Sequence, residues 1–172
     1  MKILSSTLVL LLFCALLNFG CSNDDSPLLT EEFLTATVGH EKWSVNSTSG
    51  KMHCEKILAN YGAIDLLVRA ESHNGRNIEF RILNYKGKGR YSFGDNPMSK
   101  SWINYSEASP PALWSAPSHL PGQGMITNRM EITDDDGAII KGNFEFSGYE
   151  NTQLTWKSVS RGNFNLRVRP MR

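Results

Sequence analysis

Trp102, Tyr105, Trp114 and His119 are threaded through a stretch that holds Pro110, Pro111, Pro117 and Pro121, four of the chain's seven prolines. Flat aromatic faces with polar rims stack on sugar rings or on a partner's prolines, and aromatic residues dominate interface energetics. The same four residues would equally plug one end of a β-core, and the sequence leaves both readings open. Proline cannot donate to a sheet ladder, so Ser109 to Gly122 reads as a long loop or lid. Catalysis needs a constellation, and none is present. The chain has no Gly-x-Ser-x-Gly and no His-Glu-x-x-His. Gly87-Lys88-Gly89-Arg90 lacks the Lys-Ser/Thr of a phosphate loop and reads as a turn. Asp134-Asp135-Asp136-Gly137 offers oxygens to calcium but not the spaced acids and distal Glu of a known loop, so it reads as a hairpin turn. His40, His53, His73 and His119 have no metal-ligand spacing. Asp65 and Glu71 share a strand face and could border a common cleft. No catalytic residue, metal or cofactor is expected.

Cys21 has a chemistry set by its neighbours. Met1-Lys2 is a short positive region, and Leu8 to Leu17 is an unbroken apolar run, long enough for a signal segment and short for a membrane span. Leu17-Asn18-Phe19-Gly20-Cys21 then resembles the cleavage site of a bacterial lipoprotein. The thiol would take a diacylglycerol, and cutting before Cys21 would free an amine for a further acyl chain. Two or three chains anchor stably where one binds reversibly. The alternatives are ordinary secretion with Cys21 as a plain thiol, or an uncleaved anchor helix. Cys14 leaves with the leader, so Cys54 is expected as a small buried apolar residue. A Cys21–Cys54 bridge stays open only if Cys21 is not lipidated. Residues 21–32 form the acylated cysteine and an acidic tether, whose Ser22 to Glu32 could extend about 35–40 Å.

The elements that must position these groups are strands. Of 172 residues, a leader of 20 leaves 152, the size of one domain. Without Lys2 the remainder carries 17 basic and 17 acidic residues, no surplus of the kind that nucleic acid demands. From Phe33 to the end, apolar residues alternate with polar ones between turn signals. Leu34, Ala36 and Val38 share a face, as do Ile64, Leu66, Val68 and Ala70, then Ile78, Phe80 and Ile82, then Ile140, Gly142, Phe144 and Phe146. His73-Asn74-Gly75 is a strong hairpin signal. Further strands are expected at Glu55 to Tyr61, Arg90 to Phe93, Trp102 to Tyr105, Ile126 to Thr133, and at Leu154 to Val159 and Phe164 to Val168, joined through Arg161-Gly162. Residues 33–172 therefore read as one all-β domain, an antiparallel sandwich or barrel of about eight to ten strands.

Taken in order, these segments resemble a family of small envelope lipoproteins of the Bacteroidetes group, a family without an assigned activity. The resemblance rests on Cys21-Ser22-Asn23-Asp24-Asp25, Ala36-Thr37-Val38-Gly39-His40-Glu41-Lys42-Trp43 and Gly89-Arg90-Tyr91-Ser92-Phe93-Gly94. It continues through Ile132-Thr133, Gly142-Asn143-Phe144-Glu145-Phe146 and Gly162-Asn163-Phe164. Ser109 to Gly122 departs from the pattern. The resemblance implies a β-rich fold and an outer-membrane location, outward-facing because acidic residues after the lipidated cysteine resemble a surface-export signal. It transfers no catalytic residue.

The resulting expectation is a lipid-anchored, non-enzymatic binding or structural module. Its partners would be the membrane, through Cys21, and a glycan, peptidoglycan or another envelope protein, met at Trp102, Tyr105, Trp114 and His119. The main alternative is a lipocalin-like barrel carrying a small apolar ligand. A hydrolase comes third.

Overall fold

Strand after strand in this chain buries every second residue. The computed structural model describes residues 31–59, 62–94, 101–117 and 128–170. Eleven strands follow in order: β1 (Phe33–Val38), β2 (Glu41–Asn46), β3 (Gly50–Leu58), β4 (Ile64–Ser72), β5 (Asn77–Ile82), β6 (Gly89–Ser92), β7 (Trp102–Ala108), β8 (Pro111–Ser115), β9 (Arg129–Asp135), β10 (Ile139–Glu150) and β11 (Thr155–Arg167). Leu34, Ile78, Phe80, Ile82 and Ile140 are fully buried, as the period-two pattern requires.

The strands form one antiparallel sheet with the path β2-β1-β11-β10-β8-β7-β5-β4-β3. It is nearly closed into a barrel, which decides between the two all-β architectures. The closure comes from the tail: Arg169 N–H donates to the Cys54 carbonyl at 2.8 Å, and Arg169 bridges Glu55 in parallel. β10 is long enough to serve two neighbours on one edge. Ile140 to Glu145 pair with β9, which carries β6, while Tyr149 pairs with Ser115 of β8.

Glycines let the aromatic rings lie flat across β10 and β11. Gly142 pairs with Phe164, and Phe144 pairs with Gly162. A Cβ at Gly142 would sit 2.5 Å from the Phe164 ring, and one at Gly162 would sit 2.6 Å from the Phe144 ring. Each phenylalanine therefore occupies the space that the opposite glycine vacates, a reciprocal fit of ring over bare backbone.

Three expectations need correction. The Ser109–Gly122 stretch is not all loop, because β8 runs from Pro111 to Ser115 as the return arm of a hairpin with β7. Proline is tolerated there because it is the first residue of its strand. The segments at 154–159 and 164–168 are one strand, not two. A bulge at Arg161, with φ 52°, absorbs the extra residue and shifts the register to both β1 and β10. β3 begins at Gly50, five residues before the expected Glu55, and ends at Leu58.

Candidate functional site on the outer face of the sheet

Inward-facing side chains fill the barrel. Phe80 packs against Phe164, Phe144 and Phe93 with ring centroids at 5.7, 6.3 and 6.4 Å. Each end carries a partly buried polar network. At one end the Tyr105 hydroxyl and the Lys157 ammonium both donate to Glu107 at 2.7 Å. Lys157 also lies 4.0 Å above the Trp114 ring, whose indole N–H donates to Thr155 Oγ1 at 3.2 Å. At the other end Lys56 Nζ meets Asp135 at 3.0 Å, and the Tyr85 hydroxyl donates to the same carboxylate at 2.9 Å.

These networks set the local acid–base behaviour. Burial pulls the Asp135 carboxyl up, but the Gly137 N–H, the Lys56 ammonium and the Tyr85 hydroxyl outweigh it and hold the group below its ordinary value. Burial acts on Glu107 in the same sense and is outweighed by Lys157 and Tyr105. A carboxyl held low in the folded state stabilises the fold above the ordinary carboxylate range, and that increment disappears as pH falls through the folded-state value. Lys56→Met lacks the share of it that Lys56 supplies at Asp135, while the Gly137 N–H and the Tyr85 hydroxyl remain. Its stability deficit is expected to be larger at pH 7 than at pH 3, as read by urea denaturation at both values. Cys54 is a free, buried thiol, pushed up to about 12 by burial, so it is unreactive at neutral pH.

The residues singled out from the sequence are dispersed by this architecture. Tyr105 and Trp114 belong to the core, at 0% and 6% exposure, so their rings do not form a free ligand surface. The alternation around the prolines turns both inward, where Trp114 packs over Gly148; a Cβ there would lie 2.6 Å from the Trp114 Cβ. Trp102 is half-buried on the outer face, opposite Arg81. His119 and Cys21 lie outside the described residues. Asp65 does not share a cleft with Glu71. Its buried carboxylate accepts from Arg81 at 2.7 and 3.0 Å and from the Asn84 N–H at 2.9 Å. The acids of the 134–137 turn are also committed. Asp136 accepts from the N–H groups of Ala138 and Ile139, and Asp134 pairs with Lys88 at 2.8 Å.

Open ground lies on the outer face. A groove of about 640 Å³ crosses β3, β4, β5 and β7 and is lined by Lys51, His53, Arg69, Glu71, Glu79 and Arg169, among others. Arg69 is paired with Glu79, and His53 with Glu55 at 3.1 Å. Strand register continues the groove's outward row around the barrel: His53 opposite Arg69, Arg69 opposite Glu79, Glu79 opposite Asn104, Asn104 opposite Ser115, Ser115 opposite Tyr149, and Tyr149 opposite Trp156. Tyr149 and Trp156 stack at 4.5 Å and were not among the expected site residues. The signal that finds them is an aromatic residue on the polar phase of each strand, equidistant from the 151–154 turn. The chain matches no family model, no curated protein and no solved structure. Function therefore has to be read from the side chains themselves.

Proposed function

We propose that this chain is a lipid-anchored, non-enzymatic binding module of the bacterial outer membrane, facing outward and recognising its partner on the outside of the barrel. The observation that carries the reading is the contrast between the two faces of the sheet. The interior is occupied by the Phe80 cluster, and each end carries a partly buried ion pair. The outer face carries the groove of about 640 Å³, within the usual range for ligand sites. A filled interior favours external recognition over the lipocalin-like carrier.

The leader and Gly20-Cys21 supply the anchor in this reading, and the acidic residues after Cys21 supply the outward address. The start of the domain is firmly held. Asn165 Nδ2 donates to the Glu31 carbonyl at 2.9 Å, Asn46 Nδ2 to Glu31 Oε1 at 3.0 Å, and the Arg167 N–H to Glu32 Oε1 at 2.7 Å. A tether pulling on Glu31 thus pulls on three strands at once. Phe33 lies opposite Asn165, while the β10–β11 turn lies roughly 30 Å further along β11 at about 3.3 Å per residue.

Expression in a lipoprotein-processing host with labelled palmitate tests the anchor. The label is expected in the chain and absent from Cys21→Ala, and its persistence in that variant overturns the assignment. Native mass spectrometry of the detergent-extracted protein tests the rest. A mass accounted for by chain and acyl groups alone supports external recognition. A further small molecule lost on denaturation overturns it in favour of the carrier.

A further inference from the structure

We propose that Asn104, Ser115, Tyr149 and Trp156 form a binding platform for a neutral saccharide chain, which deepens the reading above and rests on it. The four residues occupy β7, β8, β10 and β11 and stand opposite one another in unbroken register, so their side chains share one outward face. Adjacent strands are spaced by about 4.8 Å, which sets successive groups at intervals close to the length of one sugar ring.

The chemistry of the row is that of sugar recognition. Tyr149 and Trp156 form a stacked pair, and Trp156 is 42% exposed, so aromatic surface is presented to the apolar C–H face of a pyranose. Leu113, two residues from Ser115, and Leu154, two residues from Trp156, are also exposed and extend the apolar ground. Beside the rings stand hydrogen-bonding groups with nothing to do. Among the described residues, the Asn104 amide, the Ser115 hydroxyl and the Trp156 indole N–H make no side-chain hydrogen bond. Together they supply donors and acceptors for ring hydroxyls.

Charge and size narrow the class. None of the four residues is ionisable to an anion-binding cation, and the next member of the row, Glu79, is already paired with Arg69. Lys157, the nearest lysine in sequence, points to the other face and is bound to Glu107. Among the described residues, a phosphate or sulfate ester on the four-residue row itself finds no free cation, the unpaired Lys51 and Arg169 standing beyond it in the groove, which argues for a neutral chain on the aromatic pair. A stable protein partner needs about 800 Å² and some 20–30 residues a side, far more than this row offers. The row runs directly into the groove through Glu79, so an oligosaccharide seated on the aromatic pair has a path along the face.

The test is isothermal titration calorimetry of the full lipidated chain in a detergent without a sugar headgroup. The probes are neutral hexasaccharides of glucose, xylose, mannose and N-acetylglucosamine. Saturable binding of at least one is expected, weakened by about tenfold or more in Trp156→Ala, the loss of roughly one good contact. Asn104→Ala is expected to weaken it less. Ser115→Arg, which blocks the row while leaving both rings, should abolish it with an unchanged melting temperature. No binding by any hexasaccharide overturns the proposal, as does binding that survives both Trp156→Ala and Ser115→Arg. Capture only of anionic polysaccharides or of a protein overturns it too. Failure here with palmitate labelling and a ligand-free mass both intact removes the saccharide platform and leaves the anchored module standing.

Discussion

Phe80→Ala is expected to destabilise the domain by about 3–5 kcal/mol, the range for removing a fully buried aromatic side chain. Phe80 has no exposed surface and touches three other rings, on the segment after β6, on β10 and on β11. Phe80 stands on β5, which pairs with none of the strands that carry those rings, so the substitution removes contact between separate parts of the sheet and does not merely thin one of them. The neighbouring phenylalanines cannot collapse freely into the space, because Phe144 and Phe164 are each held over a glycine of the facing strand. Urea denaturation followed by tryptophan fluorescence measures the loss, with Leu58→Ala as the exposed control expected to change little. A Phe80→Ala loss below about 1 kcal/mol, the level of a surface change, would mean that the aromatic cluster is not the centre of the fold.

Arg81→Ala is the second large effect. It strips the guanidinium from a carboxylate that is almost wholly enclosed, leaving Asp65 with the Asn84 N–H alone. Breaking a buried ion pair from one side costs about 3–5 kcal/mol; the Arg81 side chain is 36% exposed, which sets the expectation near the low end, about 3 kcal/mol. Most of that cost is the stranded charge and not the lost attraction. Arg81→Met combined with Asp65→Asn is therefore expected to recover more than half of the loss, since no uncompensated charge remains. If the double variant is no better than Arg81→Ala, the role of the pair lies in its shape and hydrogen bonds. Thermal melting of the three proteins separates the two accounts.

The inward faces of β1, β5 and β10 were legible because burial is one-sided there and alternation follows directly from the pleat. β3 was not. Of its nine residues only Cys54 is buried, so its two faces differ too little in polarity to mark where it starts. β8 hid behind its prolines, and β11 hid behind Arg161-Gly162, which has turn composition but is used as a bulge. The closing contact between Arg169 and β3 spans more than a hundred residues and has no local signature. The candidate site shows the same division. Composition identified aromatic residues as the groups to watch, yet which face each one takes depends on register across four strands. Tyr105 and Trp114 went inward, while Tyr149 and Trp156 remained outside.

The last strand is the keystone of this barrel: β11 holds β1 on one edge and β10 on the other, and its tail seals β3. β1 finds β2 locally, but its other edge and the outer edge of β3 stay unpartnered until residues 155–169 exist. Such remote pairing makes for slow assembly, because the chain must close long loops before the contacts reward it. A newly made chain is thus left open and threadable for as long as its C-terminus is missing. For a protein proposed to cross a membrane before it matures, delayed closure keeps the polypeptide in the extended form that a translocation channel accepts.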